Sequence, residues 1–511
     1  MENRKPGILQ QMPAFATRQH MKIAVLFCIL AAFLPSGQAQ VLIRGHIKDD
    51  RHGQVTVFAP VNGFCNRILN RQEYRTVPGP DGYFEKHLAV DFPVMVTISV
   101  GIRPVWVFVA PGDTVTVDID AGRFTPESPG GGILIQGTNG AGNTFYNTFN
   151  YSPGEKFNRF QRLLDSMHFR QTLDPRSVQD ALSVITAPFE SLLASQQITK
   201  AYYDIVVNDI RNVLITHLIR FVFDDKDVTN DQAISFFNKI YDRYPLTEAA
   251  IRGGLYGVSP CEEYYYIKGT GIYPGNQLSD STLQVRGKTV FVNRNLVPYL
   301  YAPADLRETL WALKLISLKR LFASTYGRRD VDAFVTMFPD SRMKAYLAPP
   351  YFNLSEGPAT FGDSSGYVFA SNNINSFDAL LAGYRGKRLL VDLWATWCVP
   401  CKLEFGYNAP IDSFCRRHDI RRLYIAFERG ATRNNVKKDV YAYSLKGFHA
   451  IANDTLIRDM TRRIYPPNEG YVIPHYLLVD ENGHILDAEA PRPSSGKELL
   501  LRMLTVFKLK N

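Results

Sequence analysis

Two cysteines with two residues between them stand where a strand pattern gives way to a helix pattern. Residues 388–395 form a short apolar run with strand character, and residues 399–418 repeat apolar side chains at helical spacing. Cys398 occupies the junction, and Cys401 follows one helical turn later. Both sulfur atoms are therefore expected at the start of one helix, close enough for a disulfide. This segment favours an α/β unit that carries a reactive dithiol.

The start of a helix has chemical consequences for a thiol. The first backbone N–H groups lack partners within the helix, and the helix dipole is positive at this end. Both effects stabilise a thiolate over a thiol. One thiolate can attack a partner disulfide, and the second thiol can resolve the mixed disulfide. We expect Cys398, at the exposed end, to attack and Cys401 to resolve. The redox group is then the cysteine pair itself, and no other cofactor is expected.

The first 39 residues have the pattern of a secretory signal peptide. An apolar run of 12 residues, 23–34, follows Lys22, and small residues lead to a cleavage site expected after Ala39. The run is too short to span a bilayer as a helix. Met21 would also make a normal start for such a signal. The mature chain is therefore predicted to be exported to the periplasm or cell envelope, with no transmembrane segment.

Cysteine is sparse in the remaining chain, which argues against a scaffold held together by disulfides. The five cysteines after the signal peptide are Cys65, Cys261, Cys398, Cys401 and Cys415. We expect Cys415 to be a buried core residue. Cys65 and Cys261 can either pair across domains or stay free, and the sequence does not decide between these alternatives.

Composition and spacing exclude several classes of function. The net charge of +9 is spread over 511 residues without a dense basic block, so we expect a solvated basic surface and no nucleic-acid partner. One Cys-x-x-Cys motif, with Cys415 and His418 as the only additions near it, offers too few ligands for zinc, and no metal is predicted. Ala395 stands where a peroxiredoxin would have threonine or serine.

Hydrophobic periodicity divides the mature chain into three parts. Residues 41–125 alternate polar and apolar positions between turn signals, which predicts an antiparallel β domain, closed by the glycine- and proline-rich stretch 126–132. Residues 140–347 have helical spacing and contain no catalytic constellation. A linker is expected at 348–366. Residues 367–511 alternate strand and helix patterns and predict an α/β domain, so the chain is multidomain.

The run 391–402, with sequence VDLWATWCVPCK, resembles the active-site segment of thioredoxin. Within that superfamily it is most similar to the TlpA/ResA-like thiol–disulfide oxidoreductases. Residues 473–483 resemble the cis-proline strand and hairpin of the same family. The resemblance covers about 355–511 and implies a thioredoxin-like fold for the C-terminal domain only.

The resemblance also implies residue roles. Asp392 matches the buried acid that takes the proton of the resolving thiol Cys401. The alternative is a strand aspartate bound to a backbone group. Glu404 matches an acidic residue that tunes the pair, and its alternative is a solvated helix-surface glutamate.

Further positions match the surface that receives the substrate. Pro474, if its peptide bond is cis, would hold backbone beside the disulfide for a substrate strand, and Ile473 precedes it. Trp397 and Pro400 are expected to contact partners. Two positions depart from the family pattern, because Gly406 replaces a helix-kinking proline and His475 replaces a small residue.

These features predict an exported thiol–disulfide oxidoreductase. The resemblance implies a reductase that acts on thiols and disulfides of envelope proteins, fed by a membrane electron donor, as in cytochrome c maturation. The alternative is an envelope binding or scaffold protein. In that case the β and helical domains would hold a ligand or partner, and the redox domain would be an accessory.

Overall fold

The structure is a computed structural model. It describes residues 40–48, 55–64, 75–100, 103–123, 131–149, 153–270, 279–321, 328–347, 366–371, 373–428, 435–465 and 470–509. The predicted signal peptide, Cys65 and nearly all of the predicted linker lie outside these residues. Within the described residues, no helix is both long enough and apolar enough to cross a membrane.

The first part is a sandwich of two four-stranded sheets. Its strands are β1 (Gln40–Lys48), β2 (Val55–Phe58), β3 (Arg75–Thr76), β4 (Tyr83–Ala89), β5 (Val94–Val100), β6 (Arg103–Val109), β7 (Thr114–Asp120) and β8 (Ile133–Gln136). The sheet orders are β4-β1-β7-β8 and β3-β2-β5-β6. Valine and isoleucine side chains from both sheets form one buried cluster between them.

Two expectations for this part need correction. Strands β1 and β7 pair in parallel, so the domain is not purely antiparallel. Alternating side chains reveal which residues face the core, but they do not reveal strand direction. The stretch 126–132 also does not close the domain, because β8 follows it and pairs with β7.

The β part joins the helical part through its edge strand β6. The amide side chains of Asn143 and Asn147 each bond both backbone groups of one β6 residue. Asn147 Oδ1 accepts from the N–H of Trp106 at 2.9 Å and Asn147 Nδ2 donates to its carbonyl at 2.7 Å. Asn143 bonds Phe108 in the same way, at 2.7 and 3.1 Å. The two asparagines are four residues apart and so lie on one face of the helix. Their side chains bond the free backbone N–H and carbonyl groups of the edge strand, as a further strand would.

The central part consists mainly of helices, as its spacing predicts, with one hairpin of β9 (Ser281–Val285) and β10 (Lys288–Val292). The helices are α1 (Gly140–Thr148), α2 (Pro153–Ser166), α3 (Phe169–Thr172), α4 (Pro175–Ala194), α5 (Lys200–Phe223), α6 (Asn230–Arg243), α7 (Glu248–Ile251), α8 (Ser259–Thr270), α9 (Ala304–Leu321) and α10 (Arg328–Met337). Their apolar faces share one large cluster, which also receives Trp106 and Phe108 from β6.

The last part is a six-stranded sheet between two layers of helices. Its strands are β11 (Tyr367–Phe369), β12 (Arg388–Trp394), β13 (Ile420–Phe427), β14 (Gly447–Ala452), β15 (His475–Val479) and β16 (Ile485–Asp487). The order is β11-β14-β13-β12-β15-β16. The first four strands are parallel to one another, and β15 is antiparallel to both of its neighbours, β12 and β16. Its helices are α11 (Phe377–Ala382), α12 (Val399–Phe405), α13 (Asn408–Arg417), α14 (Val436–Ala442), α15 (Asp454–Ile464) and α16 (Lys497–Val506).

One predicted helix is wrong in this part. The span 399–418 is two helices, α12 and α13, because the chain turns at Gly406 and Tyr407. The buried clusters of this sheet contain only residues from the C-terminal part of the chain, one cluster on one face and two on the other. This part therefore has its own core.

Candidate active site

Cys398 and Cys401 form a disulfide across the first turn of α12. Their sulfur atoms are 2.06 Å apart and their Cα atoms 5.3 Å apart. Cys398 caps the helix, and its Sγ accepts a hydrogen bond from the backbone N–H of Cys401 at 3.2 Å. Pro400 lies in the first turn, where a missing N–H removes no bond of the helix. The local sequence thus places both sulfur atoms at the positive end of α12.

Exposed apolar side chains lie close in the chain to the disulfide and to the cis-proline. Cys398 is only 3% exposed and Cys401 is buried, whereas the neighbouring Trp397 is 49% exposed. Leu403 on α12 is also exposed, as is Val472. An exposed aromatic side chain therefore lies next to a shielded sulfur in the chain.

The Ile473–Pro474 peptide bond is cis and directly precedes β15. Strand β15 pairs with β12, with His475 opposite Leu393, so the proline lies at the end of the sheet where Cys398 follows β12. Ile473 packs against the cluster that contains both cysteines. The fold therefore brings Ile473 and Pro474 to the dithiol, although more than seventy residues separate them in the sequence.

Asp392 is fully buried in β12, on the sheet face that packs against α12 and α13. Its cross-strand neighbours are Tyr424 on β13 and Tyr476 on β15. Neither carboxylate oxygen has a hydrogen bond among the described residues. The alternative of a carboxylate bound to backbone therefore does not fit this position.

Burial raises the pKa of Asp392 from 3.8 to about 7, and the charge of Arg422 opposes this shift. The guanidinium Nη2 is 3.7 Å from Asp392 Oδ2. Arg422 is held by shorter bonds to Asp412 Oδ1, at 2.6 Å, and Asn408 Oδ1, at 3.1 Å. A carboxyl group poised near neutral pH can accept and return a proton.

Sequence reasoning missed Arg422. It lies in β13 after the exposed Arg421, two residues before the buried Tyr424 and therefore on the same face of the sheet as Tyr424. The sequence could have revealed Arg422 through this alternation of side chains along the strand. A charged residue that faces a buried layer needs a partner there.

Glu404 is buried and does not lie on a solvated helix surface. Its Oε2 accepts from the backbone N–H of Ser494 and its Oε1 from the hydroxyl of Ser494, both at 2.9 Å. Burial raises the pKa of Glu404, whereas the bonds from Ser494 oppose this shift. The side chain ties α12 to the 3-10 turn Pro493–Ser495.

Gly406 and His475, which depart from the pattern that the sequence resembles, lie at the end of α12 and at the start of β15. Gly406 ends α12 and begins the turn to α13. His475 is two residues before Leu477 on β15, so both side chains point to the same sheet face, which is the face opposite Asp392. Its Nε2 lies 2.6 Å from the carbonyl oxygen of Ala488, and burial lowers its pKa.

Neither of the other described cysteines takes part in a disulfide. Cys415 is buried on α13, and burial raises its pKa to about 11. Cys261 is a buried free thiol in the helical part. Among the residues with described coordinates, no group of three histidine, cysteine, aspartate or glutamate side chains is arranged for a metal ion.

No family model matches this sequence. Solved structures similar to the chain include the thioredoxin domain of a thiol-disulfide oxidoreductase from Bacteroides vulgatus, at 23% identity over 26% of this chain and 84% of that chain, with a TM-score of 0.21. A thiol:disulfide interchange protein of the thioredoxin family from Chlorobium tepidum is 23% identical over 24% of this chain and 83% of its own, with a TM-score of 0.21. A thiol:disulfide interchange protein from Bacteroides sp. is 21% identical over 24% and 76%, with a TM-score of 0.20.

Proposed function

We propose that this protein is a thiol–disulfide oxidoreductase whose reactive group is the Cys398–Cys401 pair. The observation that carries the proposal is a disulfide closed across the first turn of α12, next in the chain to an exposed tryptophan, with a buried carboxyl group on the preceding strand β12. A disulfide with a purely structural role would need neither of these neighbours.

In the reduced protein, the Cys398 thiolate attacks one sulfur of a substrate disulfide, and the substrate's other sulfur leaves as a thiolate. Cys401 then loses its proton to Asp392 and attacks the Sγ of Cys398. The mixed disulfide breaks, and the second substrate thiolate leaves. Two electrons pass from the dithiol to the substrate, which ends as a dithiol after taking up two protons.

The substrate surface would be the apolar rim of Trp397, Leu403 and Val472 together with the cis-proline segment. A substrate chain lying along Ile473 and Pro474 would present its disulfide to Cys398. Pro400 stiffens the turn that carries the attacking sulfur.

We further propose that the flow of electrons is reductive and that the substrates are exported proteins. Support comes from the pattern of residues 1–39 and from the resemblance of 391–402 to the TlpA/ResA-like branch. A membrane protein would then supply electrons to regenerate the dithiol. Export to the periplasm or cell envelope follows from the same reading of the N-terminus.

The test is the reduction potential of the pair, measured by equilibrating the mature chain in dithiothreitol and glutathione buffers. A reductase should have a potential near or below about −250 mV, whereas about −120 to −180 mV would mark an oxidant or isomerase. Cys398→Ser should abolish the transition, and Cys415→Ala should retain it. If no reversible two-electron transition occurs, the binding or scaffold alternative replaces this proposal.

A further inference from the structure

Lys402, the residue after Cys401, is buried, which is rare for a lysine. Its Nζ lies 2.9 Å from Oδ2 of Asp439, and both side chains are shielded from solvent. Asp439 is carried by α14, between two valines that pack in the cluster containing Cys398 and Cys401. The ion pair therefore lies along the wall of the dithiol's own apolar cluster.

A second buried carboxylate faces the same ammonium group. Glu428 directly follows β13 and accepts a hydrogen bond from the backbone N–H of Thr396, two residues before Cys398. Burial lowers the pKa of Lys402, whereas the charges of Asp439 and Glu428 raise it. These three charged side chains therefore form one group, which we term the Lys402 set.

The Lys402 set is separate from the charges around Asp392. Within the described residues of the C-terminal part, the buried lysine and arginine side chains are Lys402 and Arg422. Arg422 is paired with Asp392 and Asp412, whereas Lys402 is paired with Asp439. The dithiol thus has two distinct groups of buried charges near it.

Stability alone does not account for a buried ion pair at this position. Desolvation of two charges often costs as much as their attraction returns, and apolar replacements are frequently neutral. In an apolar surrounding, however, a charge acts strongly on other ionisable groups nearby. Lys402 is four residues after Cys398, which caps the same helix, so the two positions are about one helical turn apart.

We propose that Lys402 is a positioning residue that stabilises the Cys398 thiolate, and that Asp439 and Glu428 limit this effect. The inference rests on the proposed function, since it assigns a control of reactivity to the same dithiol. The ammonium group favours the thiolate, whereas each carboxylate disfavours it. Other titratable or charged side chains on the elements around the dithiol include Asp392, Glu404, Asp412, Arg422, Tyr424, Lys437, Lys438, Tyr441, Tyr443, His449 and Tyr476.

The test uses two variants that break the same ion pair. In the reduced full chain, the rate of alkylation of Cys398 by iodoacetamide is followed against pH, with the modified peptide quantified by mass spectrometry. Lys402→Met should raise the pKa of the Cys398 thiol and slow alkylation about tenfold below that pKa. Asp439→Asn should lower the pKa and speed alkylation at acidic pH. Lys438→Met, which removes an exposed charge from the same helix, should change the rate less than twofold.

Opposite shifts are the signature of the electrostatic role, because a purely structural role predicts the same sign for both variants. Shifts in the same direction, or no shift, would overturn the proposal. If Lys402→Met fails to fold, the double variant with Asp439→Asn is compared with Asp439→Asn alone, and loss of the ammonium group should then raise the pKa. Alkylation needs no disulfide substrate, so the two experiments can fail independently. Absence of a reversible two-electron transition would overturn the proposed function, whereas absence of opposite shifts in the alkylation rate would overturn only the role of Lys402.

Discussion

The helical part and the C-terminal part each bury an aspartate near a cation and tyrosines, but the two carboxylates are bonded differently. Asp209 on α5 accepts from the hydroxyl of Tyr146 at 2.7 Å and from the backbone N–H of Tyr256 at 2.6 Å. Asp392 has no such bond and lies 3.7 Å from a guanidinium that other groups hold. Both side chains are almost fully buried.

We expect this difference to separate a structural carboxylate from a reactive one. Burial raises the pKa of both groups, but the bonds to Asp209 oppose the shift. A carboxylate with its lone pairs occupied stabilises the charged form and holds the donors in place. A carboxyl group without bonds has no such function, and its pKa near neutrality suits proton transfer. Lys156 completes the Asp209 group, since burial lowers its pKa to about 8 while the charge of Asp209 raises it.

The largest expected effect is on stability, at Asp209. Asp209→Ala removes the acceptor of one buried and one partly buried hydrogen bond and the negative charge that acts on the buried Lys156, so we expect the free energy of unfolding to fall by about 3 kcal/mol or more. Urea denaturation measures this loss. The reduction potential of the dithiol should not change. Asp204→Ala, which removes an exposed carboxylate from the same helix, should cost less than about 0.5 kcal/mol. A loss below about 1 kcal/mol at Asp209 would contradict the comparison.

The next effect is on the reaction, at Asp392. Asp392→Asn removes the base for Cys401, so the mixed disulfide should accumulate and its resolution at pH 7 should slow about 100-fold. The free energy of unfolding should not fall by more than about 1 kcal/mol, because no hydrogen bond of the carboxylate is lost. Single-turnover reduction with acid trapping of the mixed disulfide measures the rate.

Asp412→Asn is the matched control for this prediction, since Asp412 also binds Arg422 but lies outside the proposed proton path. Its effect on resolution should remain below about threefold. An unchanged rate in Asp392→Asn, or a loss of stability as large as that at Asp209, would show that the two carboxylates serve the same purpose.

Stability should also depend on pH through Asp392. The pKa of this carboxyl rises from 3.8 to about 7 on folding, so the folded protein binds the proton more tightly than the unfolded chain. Its contribution to stability is complete below the unfolded pKa and is lost as pH rises toward 7. Relative to Asp392→Asn, the wild-type free energy of unfolding should therefore fall between pH 4 and pH 7, by at most about 1.4 kcal/mol per pH unit. Denaturation curves for both proteins across this range check the sign. A rise in wild-type stability relative to Asp392→Asn as the pH increases would refute the prediction.

The sequence predicts features that depend on residues close together in the chain, and it fails where distant strands meet. Periodicity and the position of the cysteines identify β12 and the start of α12, whereas the burial of Asp392 is implied only by the resemblance of residues 391–402. The sequence analysis misses β14, whose six residues do not alternate between polar and apolar. It also misses α15, although that helix is amphipathic and Asn453 caps its start. Arg422 and Asp439 act through pairings between elements that the linear pattern does not specify. The hydrogen bonds of Glu404 likewise depend on Ser494, ninety residues away.

Glu404 offers the smallest and sharpest test, because it combines the location of Asp392 with the bonding of Asp209. It lies on the active-site helix, yet both carboxylate oxygens accept bonds from Ser494. If bonding decides the role, Glu404→Gln should lower stability by about 1 kcal/mol and change the resolution rate less than threefold. Ser494→Ala should reproduce the small stability loss, since it removes one of the two bonds. The pH–rate profile of both variants provides the measurement. A rate loss near that of Asp392→Asn would instead show that nearness to the dithiol outweighs hydrogen bonding, and the two buried aspartates would then differ only because of where the fold places them.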